Sequence, residues 1–148
     1  MFVKLTNCFT VFPEHTNSLS PLIFGGAFFS EMDKIAAIAC RRLLYSSPIP
    51  GVRNAVTHKA DIVFNKPAYQ GDLIFLEAEI MSVGTKSIVV NVQARREVPN
   101  DLPQLMAEID FVFISILNQS PPIDNKPDML PYHAHGIHND QVQAARGK

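Results

Sequence analysis

The chain has 148 residues, 47% of them hydrophobic and 18% charged, and a formal net charge of -1. That length suits one domain with its own core, and there is no basic excess to hold a nucleic-acid backbone. Two cysteines without close spacing, Cys8 and Cys40, point to free thiols in a reduced compartment, and no apolar run is long enough to span a membrane.

The opening "MFVKLTNCFTVF" is rich in β-branched and aromatic residues and predicts a strand from Phe2 to Thr10, ended by Pro13. Lys4 is followed by no long apolar stretch with a cleavage site, so this end reads as mature cytoplasmic chain. Residues 13–23 form a loop with Asn17, Ser18, Ser20 and Pro21 as turn formers. "FGGAFFSEMDKIAAIACRRLLY", residues 24–45, is the helix of the chain. Phe28, Met32, Ile35, Ala36, Ala39 and Leu43 recur at the 3.6-residue period, with Glu31 and Asp33 early and Arg41 and Arg42 late. Its polar face is thin, so most sides should be covered. "SSPIPGVRN", residues 46–54, stops it.

Beyond this point the period changes to two. Residues 55–64 predict a strand and "NKPAYQGD" a turn. Residues 73–83 and 85–97 flank Gly84 as a tight antiparallel pair. "EVPNDLP" is a loop, and residues 104–117 predict a strand that is apolar on both faces at its end, hence central or interfacial. From Asn118 the chain is full of proline, asparagine and histidine and should be extended, then frayed. One helix on one face of an antiparallel sheet makes an α+β domain. The other face needs cover, which a partner subunit would supply.

The chemistry starts from Gly25-Gly26 and Asp33. A helix N-terminus leaves backbone N–H groups without partners, and glycines there let a substrate come close. Such groups can take the negative charge that grows on a carbonyl oxygen during hydrolysis, and a nearby carboxylate can activate water. Gly26 and Asp33 are seven residues apart, on one helix face but about 10 Å from each other at ~1.5 Å per residue, so a water or a bent acyl group must lie between. The plainer readings are a simple Gly-Gly turn and a solvated acid. Cys40 and Cys8 read as packing residues, His15 as a loop hydrogen-bonder, and His58 as a strand histidine on the wet side. "HAHGIH", with His133, His135 and His138, lies beside no cysteine or acid cluster, and no metal or other cofactor is expected. No G-x-S-x-G elbow supports a serine triad.

The segments "VFPEHTN", "FGGAFFSEMDKIAAIACRR", "DIVFNKPAYQGDLIFLEAEIMSVGTKSIVVNVQARRE" and "DNKPDMLP" together resemble the hotdog-fold acyl-CoA thioesterases of the cytosolic acyl-CoA hydrolase type, over roughly residues 11–131. The resemblance implies an antiparallel sheet wrapped around one long central helix, a single domain at residues 1–131, and a flexible tail at 132–148. It implies Asp33 as general base or nucleophilic carboxylate, Gly26 with Gly25 as the carbonyl-polarising backbone, and Asn17 as a loop residue placing water or substrate, often from the opposite subunit. Thr57 lies near the family's strand threonine; Gly84, Lys86 and Ser87 match the turn lining the pantetheine channel. Lys59, Lys66, Lys86, Arg95 and Arg96 are candidates for the coenzyme A phosphates. Phe28, Phe29 and Phe64 either bound an acyl tunnel or pack in the core. Homodimers, or trimers of dimers, are implied as well. One departure stands out: "NSLSPLIFGG" has Ser20-Pro21 where a glycine is usual, and one residue more. This leaves Asn17 or Ser18 for the loop role. Two other functions stay open: an acyl-CoA-binding module without catalysis, and hydrolysis of acyl-carrier-protein thioesters. A dehydratase of this fold would carry a histidine on the central helix, and residues 24–45 have none.

Overall fold

The computed structural model describes residues 4–45 and 52–117, without the side chains of Val52, Arg53 and Leu117. Its elements are β1 (Lys4–Thr10), a 3-10 turn (Pro13–His15), α1 (Gly25–Leu44), β2 (Val52–Phe64), β3 (Leu73–Val83), β4 (Ser87–Arg96) and β5 (Gln104–Leu117). All strands join one antiparallel sheet in the order β1-β3-β4-β5-β2, with the helix against one face. This is the α+β hotdog arrangement, with β5 an interior strand between β4 and β2. Phe2, the break at 46–51 and the tail with its three histidines lie outside the described residues.

Alternation builds the inner face of the sheet. Ile74, Leu76, Ala78 and Ile80 of β3, Ile88, Val90, Val92 and Ala94 of β4, and Ala107, Ile109, Phe111 and Phe113 of β5 are all buried. Register aligns them in rows, such as Ala78 beside Val92 and Val92 beside Ile109. The helix meets them with Phe28, Met32, Ile35, Ala36, Ala39, Cys40, Leu43 and Leu44, spaced three or four apart. Each large side chain so buried contributes about 1.5–3 kcal/mol, which is what holds a single helix onto this sheet.

Four expectations change. β2 begins at Val52 inside the stretch read as a break, because β5 runs on to Leu117 and gives Val52 and Asn54 strand partners. Cys8 is exposed, not packed. Leu5 and Phe9 pack against the core, so the two-residue period turns Cys8 outward with Lys4 and Thr6. The helix has no acid in its first turn, since Glu31 and Asp33 stand further in, and Ser30, Lys34, Ile38, Arg41 and Arg42 form an exposed stripe wider than its thin polar pattern predicts. The outer sheet face carries Glu77, Glu79, Asn91, Gln93, Arg95, Glu108 and Asp110, with Asn91 donating to both Glu108 and Asp110. That face tolerates water. Three consecutive apolar residues are exposed along the free edge, Ile62, Val63 and Phe64 of β2, at 42%, 57% and 48%, while Phe75 stands exposed on the outer face.

Burial pushes the Cys40 thiol far up from its ordinary pKa, and the Asp33 carboxylate adds to the effect. Cys40 therefore stays a neutral thiol at any working pH. In the native chain iodoacetamide should label Cys8, and Cys40 only after unfolding, as read by peptide mass spectrometry. Equal labelling of both would contradict this helix packing.

Candidate active site

The helix opens without a cap. Phe24 at the N-cap position is extended (φ -72°, ψ 132°) and offers no side-chain hydrogen bond. The helix ladder begins with the Phe28 N–H donating to Phe24 O at 3.0 Å, so the amides of Gly25, Gly26 and Ala27 precede the first intrahelical bond. Gly25 and Gly26 are exposed. Two rings flank them: a Cβ on Gly26 would stand 3.4 Å from the Phe24 ring, and one on Gly25 would stand 3.9 Å from Phe64. Glycine here keeps the backbone bare between two aromatic side chains, which leaves room for a ligand atom at the amides.

The loop before the helix is tied down at several points. Thr16 bridges Ile23, and Leu22 bridges Tyr69. The Asn17 N–H donates to Leu22 O at 2.9 Å, and the Asn17 Oδ1 accepts the Leu19 N–H at 3.0 Å in an Asx turn. Ser20 N–H donates to Asn17 O, and Pro21 O accepts the Gln70 N–H at 2.8 Å. The Ser20-Pro21 departure is thus absorbed in a closed turn over residues 17–20. Asn17 is exposed, and among the described residues no hydrogen bond joins it to Asp33 of the same chain.

Asp33 is half-buried on the helix and accepts a 2.7 Å hydrogen bond at Oδ1 from the Thr57 hydroxyl of β2. Thr57 pairs with Phe113, the residue that in turn pairs with Ile88, so it belongs to the inner face of the sheet. The bond leaves the second carboxylate oxygen without a hydrogen bond among the described residues. Cys40 lies two turns further along the same helix, close enough to feel the charge of Asp33, and its thiol is held protonated. The acid therefore stands between a hydroxyl donor and a neutral, buried floor.

Other predicted residues fall into three groups. The hairpin after β3 is tight: the Gly84 N–H donates to Ser87 O at 2.7 Å, and a Cβ on Gly84 would stand 2.6 Å from the Ser87 hydroxyl. Lys86 O accepts the N–H of Ser115, and this end of the sheet is the one that carries the Thr57–Phe113–Ile88 row. Phe29 packs against Phe111 at 5.7 Å, and Phe64 touches Phe28 at 5.8 Å while staying 48% exposed. Phe28 itself is fully in the core. The cations scatter. Arg95 lies on the outer sheet face, donating to Gln93 at 2.6 Å, which puts it across the sheet from Asp33 of its own chain. Lys59 is exposed and 3.7 Å from Asp61; Arg96 is shared between Gln104 and Asp72; Lys66 and Lys86 are exposed. His58 is exposed where the register of β2 slips, between Thr57 and Lys59.

Two clefts, of about 760 and 240 Å³, share Phe75 on the outer face of the sheet and contain neither Asp33 nor Gly26. Among the described residues no group of three or more histidine, cysteine or acidic side chains could hold a metal ion, and no helix is long and apolar enough to cross a membrane. Spacing did not reveal the Thr57–Asp33 bond, since 24 residues separate its partners. It also did not reveal how firmly His15 ties the loop to the helix.

The model of the thioesterase superfamily matches residues 21–102. YkhA of Bacillus subtilis (strain 168), an uncharacterized acyl-CoA thioester hydrolase, is 32% identical over 146 residues, covering 96% of this chain and 80% of its own. The acyl-CoA hydrolase of Staphylococcus aureus, solved with butyryl coenzyme A, coenzyme A and coenzyme A disulfide, is 28% identical with a TM-score of 0.68, over 88% of this chain and 73% of that one. An asparagine-to-alanine form of the same hydrolase, solved with coenzyme A, is 27% identical, again with a TM-score of 0.68, over 88% and 71% of the two chains. A match spanning more than half the sequence, and a relative this similar along nearly all of it, place the chain in the thioesterase superfamily.

Proposed function

We propose that this chain hydrolyses acyl-CoA thioesters to a free acid and coenzyme A, with Asp33 as the acting carboxylate and the Gly26 N–H, beside that of Gly25, as the donor to the thioester carbonyl. The observation that carries this is the 2.7 Å bond from Thr57 to one oxygen of Asp33, which aims the carboxylate from the helix whose uncapped amides lie two turns earlier. The carbonyl oxygen takes up negative charge as the tetrahedral intermediate forms, and unpaired amides stabilise that charge. Asp33 takes a proton from the attacking water, or itself attacks to give a mixed anhydride that water opens. Collapse expels the thiolate of coenzyme A, a fair leaving group that needs no acid catalyst. Thr57 acts here as the donor that orients Asp33, rather than as part of the channel wall. The S. aureus hydrolase has been solved in aspartate, asparagine and threonine variants, the residue types of Asp33, Asn17 and Thr57.

The active form is a homodimer joined through β2. This strand of thirteen residues pairs with β5 on one side only and offers its other edge, with Ile62, Val63 and Phe64 exposed beside it. A free edge of this length with apolar side chains is a template for a second copy. Pairing there would bring the partner toward Thr57, Asp33 and the helix opening, where Asn17, Gly84, Lys86 and Ser87 of either chain could complete the coenzyme A channel, with Phe29 and Phe64 along the acyl group and Lys59 as a phosphate contact, while Arg95 stays on the outer face. Three such dimers could associate further.

Asp33→Asn should leave coenzyme A binding and thermal stability near native and lower kcat by about 10²–10⁴, the range for a lost general base. A variant with near-native release of free thiol sinks the assignment, and a native chain that binds acyl-CoA with saturation but no turnover establishes the binding-module reading. Thr57→Val should reduce kcat about 10- to 100-fold, the cost of one hydrogen bond to a charged group, while Thr57→Ser keeps most of the rate. Val63→Lys should convert dimer to monomer in light scattering and remove activity together; a fully active monomer refutes the composite site.

A further inference from the structure

We propose that His15 is a positioning residue for the active-site loop and helix opening, an inference that rests on the acyl-CoA hydrolysis reading. His15 closes the 3-10 turn after β1 and makes contacts in four directions. Its Nδ1 accepts the Phe12 N–H at 3.0 Å. That bond leaves the proton of the neutral ring on Nε2, which faces Glu31 Oε1 of α1 at 3.8 Å. Its backbone carbonyl accepts the Phe24 N–H at 2.7 Å. Its ring sits edge-on to Phe9 at 5.5 Å and stacks on Phe12 at 6.1 Å.

The placement of these bonds gives the residue its role. Phe24 is the N-cap residue, so the bond to His15 O fixes the chain at the point where it turns into Gly25 and Gly26. Asn17 follows His15 by two residues, so the same anchor sets where the Asx turn begins. Glu31 stands two residues before Asp33, and it also accepts from Lys34 at 3.1 Å, which holds its carboxylate in reach of the ring. The side chain, only 17% exposed, locks the turn through the Phe12 N–H and faces Glu31, and the turn so held places the backbone carbonyl that anchors Phe24, so the ring references the loop, the bare amides and the acid's helix turn to each other through that carbonyl. The helix N-terminus lacks a capping side chain, so this neighbour supplies the alignment that a cap would otherwise provide. A reacting group displaced by about 1 Å loses on the order of 10² in rate, so loss of the anchor should appear in kcat.

The test compares His15→Asn, His15→Gln and His15→Ala in the full chain, with butyryl coenzyme A as substrate and the melting temperature of each recorded. Asparagine places an oxygen where Nδ1 stands and can still accept the Phe12 N–H; glutamine reaches instead toward the Nε2 position. His15→Ala should lower kcat tenfold or more with KM changed less than threefold, His15→Asn should recover most of that loss, and His15→Gln should not. If His15→Ala fails to fold, the Asn and Gln pair decides. Rates that follow melting temperature alone, or Asn and Gln variants of equal rate, overturn the proposal. The native chain and Asp33→Asn run alongside. Turnover that depends on Asp33 but not on His15 overturns the positioning role and leaves hydrolysis standing. Absence of Asp33-dependent turnover overturns hydrolysis, and the positioning role with it.

Discussion

A carboxylate on the sheet-packed side of a helix needs a partner, because burying even part of a charge without one is costly. Here the partner is the Thr57 hydroxyl, and the bond ties the helix to the edge strand of the sheet rather than to its centre. That choice shapes the rest. Toward the centre, the helix presents Phe28, Met32, Ala36, Ala39 and Leu43 to an apolar surface. Toward the edge, the same helix presents Asp33, half-buried and reached by a single hydroxyl. The acid is thus fixed in orientation at one oxygen, while the other has no hydrogen bond among the described residues. Cys40 follows on the helix as a buried neutral thiol, so the position that could hold a second charge near Asp33 holds none.

The two sheet faces divide their duties by alternation. Inward residues are apolar and buried; outward residues include three neighbouring polar positions on β4, namely Asn91, Gln93 and Arg95, which bond to one another's surroundings. A second layer on that face would bury Glu108 and Asp110, already opposed across the sheet by Asp61 and Val63 on β2. The proposed assembly through the free edge would avoid this cost. It would also use the backbone groups on the unpaired edge of β2, so one contact would satisfy hydrogen bonds and cover Ile62 and Phe64 together.

Much of this was legible from periodicity. The helix read from residues 24–45 is Gly25–Leu44, and the strands at 73–83 and 104–117 stand where alternation sets them. In these segments most residues agree with one period. The start of β2 was hidden because Pro48, Pro50 and Gly51 punctuate the chain just ahead of it, while its pairing with the end of β5 is a long-range fact. The outward turn of Cys8 was available in principle: Leu5 and Phe9 share a parity, and Cys8 has the other. The same parity sets Arg95 opposite to the buried Ala94, which separates it from Asp33. Contacts that cross between elements were not legible. The threonine that orients Asp33 and the carbonyl that anchors Phe24 depend on strand register and loop closure, and no local spacing encodes either.

The bare helix opening gives up local stability, and the proposed reaction supplies a reason for it. A serine, threonine or aspartate at the position of Phe24 would stabilise the helix by about 1 kcal/mol, and an acid in the first turn would add to that. The chain has neither. In the proposed reaction a capping oxygen would occupy the amides that the developing oxyanion has to reach, and a first-turn carboxylate would repel it. Phenylalanine at that position instead brings a ring against Gly26, and Phe64 brings another against Gly25. Apolar walls around unpaired donors lower the local dielectric once a substrate displaces water, and each hydrogen bond to a charged oxygen then counts for more. The helix can forgo its cap because its eight buried residues hold it to the sheet regardless of how its first turn is satisfied. Packing along the length of α1 is therefore what frees its beginning to act on a ligand.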